Sequence, residues 1–316
     1  MLIAISNLLK GAVLGIAMVI PGVSGGTMAL VLGIYERLIR ALHGFSISTL
    51  KEMLRLPCSK DRKTRFTALW AGHDLGFLAQ LLGGALLSIL ACSRLIEYFL
   101  ESHPNPTNGF FFGLVGASII FPLRLMERKS IVELACALGA MALTIALATA
   151  ATGQDQVPGD ADASHSLSNC GRFAICGVVA SSAMLLPGVS GSFLLLLLGI
   201  YHQLIGIINS WDYLLIAVFA AGCLVGLVLF ARLINFLLER FHSPTMAFLG
   251  GLMAGSLWNL WPFRSPGSNE PAWPGENDSA TGMSLLAFLV AAAIIATLAL
   301  YGRNAGSRGD QPRGEA

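Results

Sequence analysis

The chain has 316 residues, of which 55% are hydrophobic and 12% are charged, with a net charge of +2. Soluble domains carry about 25% charged residues, so this composition excludes an ordinary soluble protein. The near-neutral charge gives no indication of a nucleic-acid partner. Several uncharged segments approach or exceed the roughly 20 residues that cross a bilayer as a helix. We therefore expect an all-α polytopic membrane protein.

The first apolar segment, residues 3–44, is interrupted by Pro21 and Gly22 and then by Gly25 and Gly26. A helix interior disfavours Gly by roughly 1 kcal/mol and Pro by about 3 kcal/mol. Two complete crossings would both have to be short here, so we predict a re-entrant hairpin with a half-helix on each side of the break. A turn at membrane depth is tolerable only against protein or a wet cavity.

Six membrane crossings are predicted after this first hairpin. The predicted crossings are residues 75–93, 109–123, 134–153, 213–231, 244–263 and 279–302. Between the first hairpin and the first crossing lies a basic segment, residues 46–71, which contains Lys51, Arg55, Lys60, Arg62, Lys63 and Arg65.

The interrupted segment occurs twice. Residues 21–39 (PGVSGGTMALVLGIYERLI) and 187–205 (PGVSGSFLLLLLGIYHQLI) are identical at 12 of 19 positions, with a separation of 166 residues. Residues 93–107 match residues 231–245 at 7 of 15 positions, with a separation of 138 residues. The first copy therefore carries 28 additional residues, around the basic segment. An internal duplication accounts for both matches.

Positive charge orients the two copies. When the basic segment is cytoplasmic, 17 of the 20 Lys and Arg residues fall inside and only Arg94, Arg172 and Arg264 fall outside. An odd number of crossings then separates the two PGVSG turns, which predicts inverted-topology repeats with cytoplasmic N- and C-termini. We expect a first repeat at 1–130 with helices at 75–100 and 107–126, a linking helix and external acidic loop at 131–172, and a second repeat at 173–264. An external loop and last helix at 265–302 and a cytoplasmic tail at 303–316 complete the chain.

The two turns are the candidate site. Their glycines let the backbone bend and approach a ligand, and Ser24 or Thr27 can cap the following helix, whose positive end suits an anion such as phosphate. The predicted substrate-binding residues are Pro21, Gly22, Ser24, Gly25, Gly26 and Thr27 in the first turn and Pro187, Gly188, Ser190, Gly191 and Ser192 in the second. A tight helix crossing, which also needs small residues, is the alternative.

The doubled motif resembles the bacterial polyprenyl-phosphate transporter family. The resemblance extends from about Lys10 to Trp261, and the family pattern falls on residues 21–27, 33–36, 187–192 and 199–201. It implies translocation of undecaprenyl phosphate, the lipid carrier of cell-wall precursors, back across the cytoplasmic membrane. The expected partners are this lipid and the membrane lipids. We expect no cofactor, metal or nucleic acid, and the sequence leaves the oligomeric state open.

Charged residues outside the turns have two interpretations each. Arg94 and Arg232 are repeat counterparts that could meet phosphate on opposite faces, or could extend to the lipid headgroups. Residues that could carry a coupling ion are Glu36, Arg37, Asp74 and Asp212. Alternatively, the first two form a local ion pair and the two aspartates cap helices. His202 stands where the first repeat has Glu36, which weakens a paired role at that position.

Two other function classes fit part of the sequence. A transporter or channel for a small soluble anion would use the same turns without a lipid tail. Residues 22–26 also match G-x-S-x-G, the pattern around a hydrolase serine. The second copy, residues 188–192, breaks this pattern, and no histidine lies at mid-membrane to act as a base. A transporter is therefore the favoured interpretation and an enzyme is not expected.

Overall fold

The computed structural model describes residues 2–19, 23–45, 49, 70, 72–152, 166–265, 271–274 and 279–309. Within these ranges every named element is an α-helix, and an isolated β-bridge joins Arg264 and Pro271. The all-α prediction is thus confirmed for this part of the chain. Pro21, Gly22, nearly all of the basic segment, residues 153–165 of the predicted acidic loop and the tail beyond residue 309 lie outside the described residues.

The helices fall into two halves of similar order. The first half contains α1 (Leu2–Val19), α2 (Gly25–Val31), α3 (Tyr35–His43), α4 (Leu75–Ser102), α5 (Pro104–Ser118), α6 (Ile120–Leu125) and α7 (Ile131–Thr152). The second half contains α8 (Leu167–Leu185), α9 (Gly191–Leu197), α10 (Tyr201–Asn209), α11 (Tyr213–Arg240), α12 (His242–Leu260) and α13 (Ser279–Gly309). Helices α2 and α9 both have 7 residues, α3 and α10 both have 9, and α4 and α11 both have 28.

The same helix crossing occurs once in each half. Helix α1 packs along α4, and α8 packs along α11. Gly84 faces the carbonyl of Leu8, and its counterpart Gly222 faces the carbonyl of Ala174, so closely that a Cβ at either glycine would overlap the partner backbone. Small residues allow such close approach of helix backbones within a membrane.

A glycine and a serine exchange places between these two crossings. In the first half, Gly15 of α1 faces the hydroxyl of Ser88 on α4. In the second half, the serine is Ser181 on α8 and the glycine is Gly226 on α11. Each crossing has room for one serine side chain but not for two. The serine is on the second helix of the crossing, α4, in the first half and on the first helix, α8, in the second half.

The last helix of each half packs against the other half. Helix α7 packs along α12, and α13 packs along α5. The contacts are equivalent, because Gly113 of α5 faces the carbonyl of Phe288 while its counterpart Gly251 of α12 faces the carbonyl of Ala137. This exchange of helices joins the two halves through close backbone contacts. Any side chain at Gly113 or Gly251 would disrupt these contacts.

Five described helices are long and apolar enough to cross a membrane, and they coincide with five of the six predicted crossings. They are Leu75–Ser102, Pro104–Leu125, Ile131–Ala150, Tyr213–Arg240 and Thr281–Ala299. The sixth prediction, residues 244–263, corresponds to α12, which does not meet the same criterion. Its glycines, serines and asparagine lower its hydropathy, and they are buried or half-buried against neighbouring helices rather than against lipid.

The predicted hairpin contains one more break than expected. Helix α1 has 18 residues, or about 27 Å at 1.5 Å per residue, which is longer than a half-helix. The chain after the turn is also divided, into α2 and α3 in the first half and α9 and α10 in the second. We call these the first and second short pairs, and the axes within the second short pair are bent by 108°.

Candidate functional site

Ser24 and its counterpart Ser190 occupy the same place in the backbone but bond differently. Ser24 is extended (φ −109°, ψ 150°), and its Oγ accepts the N–H of Thr27 at 3.2 Å, which caps α2. The predicted cap is therefore confirmed. Ser190 is also extended (φ −94°, ψ 130°), but its side chain makes no capping hydrogen bond to α9.

The hydroxyls of the first turn bond to the backbone of the second turn. The Gly188 N–H donates to Ser24 Oγ at 3.0 Å and to Thr27 Oγ1 at 3.1 Å. The Ser24 hydroxyl donates to the Leu186 carbonyl at 3.0 Å. Ser24 is 4% exposed and Thr27 is fully buried. These two residues were predicted as ligand donors, but in this structure they hold the two turns together.

The two glycines that begin α2 have different surroundings. A Cβ on Gly26 would lie 2.8 Å from the Leu185 carbonyl oxygen, which is closer than two such atoms can approach. A Cβ on Gly25 would lie 3.6 Å from the nearest atom, Cγ of Met18, at ordinary contact distance. Gly26 is therefore required by a tight crossing, as the alternative interpretation proposed, whereas Gly25 is not.

The glycines of the second turn are also packed against backbone. Gly188 has φ +82°, and a Cβ there would lie 2.6 Å from the carbonyl oxygen of Leu252. A Cβ on Gly191 would lie 2.7 Å from the carbonyl oxygen of Ala180. The left-handed conformation and the close contact together leave glycine as the suitable residue at position 188.

A cleft opens beside the second turn. It is lined by Thr144, Leu147, Gly188, Val189, Ser190, Phe193 and Asn259. Ser190 and Ser192 bond to each other through their hydroxyls at 2.8 Å, and Ser192 is exposed. Thr144 and Asn259 were not among the predicted site residues. Asn259 is the single amide side chain in the predicted crossing 244–263, and this was the signal that could have identified it.

Each short pair contains a break at a glycine in the left-handed region. Gly33 has φ +63° and Gly199 has φ +67°. The next N–H, from Ile34, donates to the Ala29 carbonyl at 2.9 Å, and Ile200 donates to Leu195 at 3.0 Å. This is the Schellman ending, in which the glycine lets the last carbonyls of a helix find donors. The L-G-I-Y sequence common to both repeats is the local signal for this break.

The four candidate coupling residues lie in three separate arrangements. Arg37 donates to both carboxylate oxygens of Asp74, at 2.7 and 3.1 Å, and its guanidinium lies 4.1 Å from the Phe77 ring centre. Glu36 Oε1 lies 3.5 Å from Nε2 of His242. The expected ion pair between Glu36 and Arg37 is therefore wrong, because each side chain has a partner on another helix.

The two aspartates that begin α4 and α11 have different roles. Asp212 accepts the N–H of Leu215 at 3.2 Å and caps α11, as the alternative interpretation proposed. Asp74 makes no capping bond with its side chain and has a left-handed backbone (φ 49°). Its carboxylate turns instead to Arg37, so the repeat does not preserve the role of this position.

Arg94 and Arg232 occupy equivalent positions in α4 and α11, and both side chains are exposed. Arg232 donates to the carbonyl of Phe45, just after the end of α3, at 2.7 Å. Helix α3 packs along α11, so this bond joins the first short pair to the second half of the molecule. Neither arginine lies in the cleft beside the second turn.

Comparison with known proteins places the chain in a family. Residues 14–272 match the undecaprenyl phosphate translocase-like family. The chain belongs to this family. It is 35% identical to a polyprenyl-phosphate transporter of Vibrio cholerae over 265 residues, which cover 82% of this chain and 78% of the relative. It is 30% identical to a polyprenyl-phosphate transporter of Staphylococcus aureus over 266 residues, which cover 81% of this chain and 86% of the relative.

No solved structure matches the chain significantly. The family match includes both turns, both short pairs and the cleft, because all of them lie between residues 14 and 272. The site described above therefore lies within the matched part of the chain.

Proposed function

We propose that this protein translocates polyprenyl phosphate, specifically undecaprenyl phosphate, across the cytoplasmic membrane for reuse of the carrier lipid in cell-wall synthesis. The observation that carries the proposal is family membership over residues 14–272. Two relatives named as polyprenyl-phosphate transporters, similar over most of their length, support it. Five candidate membrane spans supply the necessary membrane location.

The two halves are proposed to be inverted in the membrane. The charge distribution favours this, because it places 17 of 20 Lys and Arg residues on one side. The repeated crossings of α1 with α4 and α8 with α11 support equivalence of the halves. We extend each repeat by one helix, since α7 and α13 make equivalent contacts with α12 and α5. Inverted repeats recur in transporters whose substrate sites lie near the membrane midplane.

The phosphate is proposed to bind in the cleft beside the second turn. Ser190 and Asn259 line this cleft with a hydroxyl and an amide, and the Ser192 hydroxyl bonds to that of Ser190. Thr144 also lines it, with its hydroxyl donated to the carbonyl of Ala140. A hydrogen bond to a charged group is worth about 1.5–3 kcal/mol, so a few such donors account for substantial affinity. The predicted site in the first turn, with Ser24 and Thr27, becomes available only when its bonds to Gly188 and Leu186 are released.

The polyprenyl tail is proposed to remain in the lipid while the phosphate crosses. The outer surfaces of the spans are apolar, with Leu90 80% exposed on α4 and Leu224 67% exposed on α11. Long apolar chains lose little by sliding along such a surface, because it matches the lipid interior. A coupling ion, where one is used, is assigned to Glu36 with its neighbour His242, since Asp212 is a helix cap and Asp74 is paired with Arg37.

A reconstituted system tests the proposal. The purified chain is placed in liposomes that contain polyprenyl phosphate in both leaflets, and an impermeant phosphatase is added outside. Phosphatase without the protein should hydrolyse the outer-leaflet lipid only, and the protein should make the inner pool accessible. Release of entrapped inorganic phosphate, with the lipid pool unchanged, would instead identify a transporter for a soluble anion.

A further inference from the structure

The two short pairs are equivalent in sequence but not in their surroundings. In α2, Leu30 is 3% exposed, whereas its counterpart in α9, Leu196, is 40% exposed. Helix α3 packs along α11, and within the described residues α10 makes no comparable contact with α4. The first short pair is therefore closed against the other half, and the second short pair is open.

A tyrosine in the repeated L-G-I-Y sequence closes the first short pair. Tyr35 is 2% exposed, and its hydroxyl donates to the carbonyl of Leu185 at 3.2 Å. Leu185 is the last residue of α8, where carbonyls have no partner within the helix. The counterpart of Tyr35 is Tyr201, which is half-exposed, and the counterpart of Leu185 is Val19, the last residue of α1.

A second bond closes the far end of the same pair. Arg232 donates to the carbonyl of Phe45 at 2.7 Å. The repeat assigns Arg94 as the counterpart of Arg232 and Trp211 as the counterpart of Phe45, and Trp211 follows α10 as Phe45 follows α3. Trp211 is 68% exposed in this structure.

We infer that Tyr35 with Arg232 and Tyr201 with Arg94 are two sets of closing residues, and that transport alternates between them. In the second state, Tyr201 donates to the Val19 carbonyl and Arg94 to the Trp211 carbonyl, while the first short pair opens. This inference rests on the proposed transport function. It assigns the two arginines to closure of the two faces rather than to first contact with phosphate.

The alternation accounts for the cleft beside the second turn. Closure of the second short pair buries Leu196 and covers Ser190, and opening of the first releases Ser24 and Thr27 from Gly188. The two copies differ at one of the positions that make these bonds, because Phe193 stands where the first half has Thr27. The first short pair therefore has one closing bond that the second lacks, and the structure shows the state in which the first is closed.

Distances between spin labels in the full-length chain in lipid bilayers test the inference. One pair of labels replaces the exposed His43 and Leu233, and the matched pair replaces their counterparts Asn209 and Leu95. These positions leave all four closing residues intact. In a background without native cysteines, the 43/233 pair should give mainly a short distance and the 209/95 pair mainly a long one. Each pair should also show a minor population at the opposite distance.

Removal of a closing bond should shift these populations in opposite directions. Loss of one neutral hydrogen bond corresponds to about a two- to tenfold change in an equilibrium. Tyr35→Phe should raise the short 209/95 population by that factor, and Tyr201→Phe should lower it. Arg232→Gln and Arg94→Gln, at exposed positions, provide a second matched pair in case Tyr35→Phe does not fold.

The result that overturns the inference is a single long 209/95 distance in the wild type and in every one of these variants. The measurement needs no substrate, which separates it from the proposed function. Exchange of the two distances without movement of polyprenyl phosphate would retain the alternation and refute the lipid substrate. Movement of polyprenyl phosphate with a fixed long 209/95 distance would retain the substrate and refute the alternation.

Discussion

Ser24 Oγ accepts the N–H of Gly188 at 3.0 Å, although the two residues are separated by 164 positions in the sequence. Each belongs to a copy of the same PGVSG motif, so the duplicated turns meet each other directly. A displacement of one turn must break bonds made by the other. The paired motif therefore couples the two halves of the molecule, in addition to supplying small and polar residues for the proposed phosphate site.

Alanine substitutions at the two motif serines should have different effects. Ser24→Ala removes a helix cap and a hydroxyl that bonds to both Leu186 and Gly188, so we expect a loss of about 1–3 kcal/mol in the free energy of unfolding. Ser190→Ala should leave stability nearly unchanged and weaken polyprenyl phosphate binding by about ten- to a hundredfold. Thermal unfolding in detergent and lipid binding measure the two effects. Equal losses of stability would contradict the asymmetry of the turns.

Alanine substitutions at the adjacent glycines Gly25 and Gly26 should also differ. Gly26→Ala places a Cβ 2.8 Å from the Leu185 carbonyl oxygen, so we expect an overpacking cost of about 1–3 kcal/mol. Gly25→Ala places its Cβ 3.6 Å from the Met18 side chain and should be tolerated. Melting temperatures of the two variants decide the prediction, since each adds one methyl group and they differ only in its position. A lower melting temperature for Gly25→Ala would show that the turn is packed differently.

Local sequence patterns were sufficient for the helices and for part of the turn. A serine before a helical segment predicted the cap at Ser24, and the uncharged segments predicted the membrane-spanning helices. Both signals lie within short stretches of sequence. The break at Gly33 has an equally local signal, a glycine after an apolar segment in both repeats, but this signal is weaker than the Pro-Gly interruption.

The partners of the site residues could not be obtained from the sequence. The bond from Ser24 to Leu186 and that from Arg37 to Asp74 depend on which helices are neighbours in space. The repeat also misled at one point, because it predicted equal roles for Asp74 and Asp212. Only Asp212 caps its helix. Asp74 binds Arg37, whereas the position of the second repeat that corresponds to Arg37 is Gln203.

Substitution of Gly33 and Gly199 should reveal backbone strain alone. Both have positive φ, and no atom lies within 4 Å of an added Cβ at either position. Alanine at each should therefore lower the free energy of unfolding by about 1–2 kcal/mol, the cost of a left-handed conformation with a Cβ. The matched control is Gly139→Ala, which is in a helix with equally open surroundings and should stabilise by about 1 kcal/mol. Melting temperatures that fall for all three variants would contradict the prediction.

Removal of polar groups from the cleft should weaken lipid binding without unfolding the protein. Asn259→Leu deletes an amide donor from the proposed phosphate site, so we expect about a tenfold or greater loss of affinity for polyprenyl phosphate. Thr144→Val in the same cleft should have a smaller effect, because the Thr144 hydroxyl donates to the carbonyl of Ala140. Thr149→Val on the same helix is the control, because Thr149 does not line the cleft and bonds to the carbonyls of Ile145 and Ala146. An affinity reduced no more by Asn259→Leu than by Thr149→Val would place the phosphate elsewhere.

The inverted topology predicts opposite exposure of two surface positions. Lys129 is exposed between α6 and α7, and Trp273, which is 87% exposed, lies between α12 and α13. The positive-inside distribution assigns Lys129 to the cytoplasm and Trp273 to the external face. In intact cells, an impermeant maleimide should label Trp273→Cys and not Lys129→Cys, in a background from which all six native cysteines have been removed. Permeabilised cells provide the control, since both positions should then react. Labelling of position 129 but not 273 would reverse the orientation of the whole chain, whereas labelling of both in intact cells would place the two loops on one face and refute the inverted repeats.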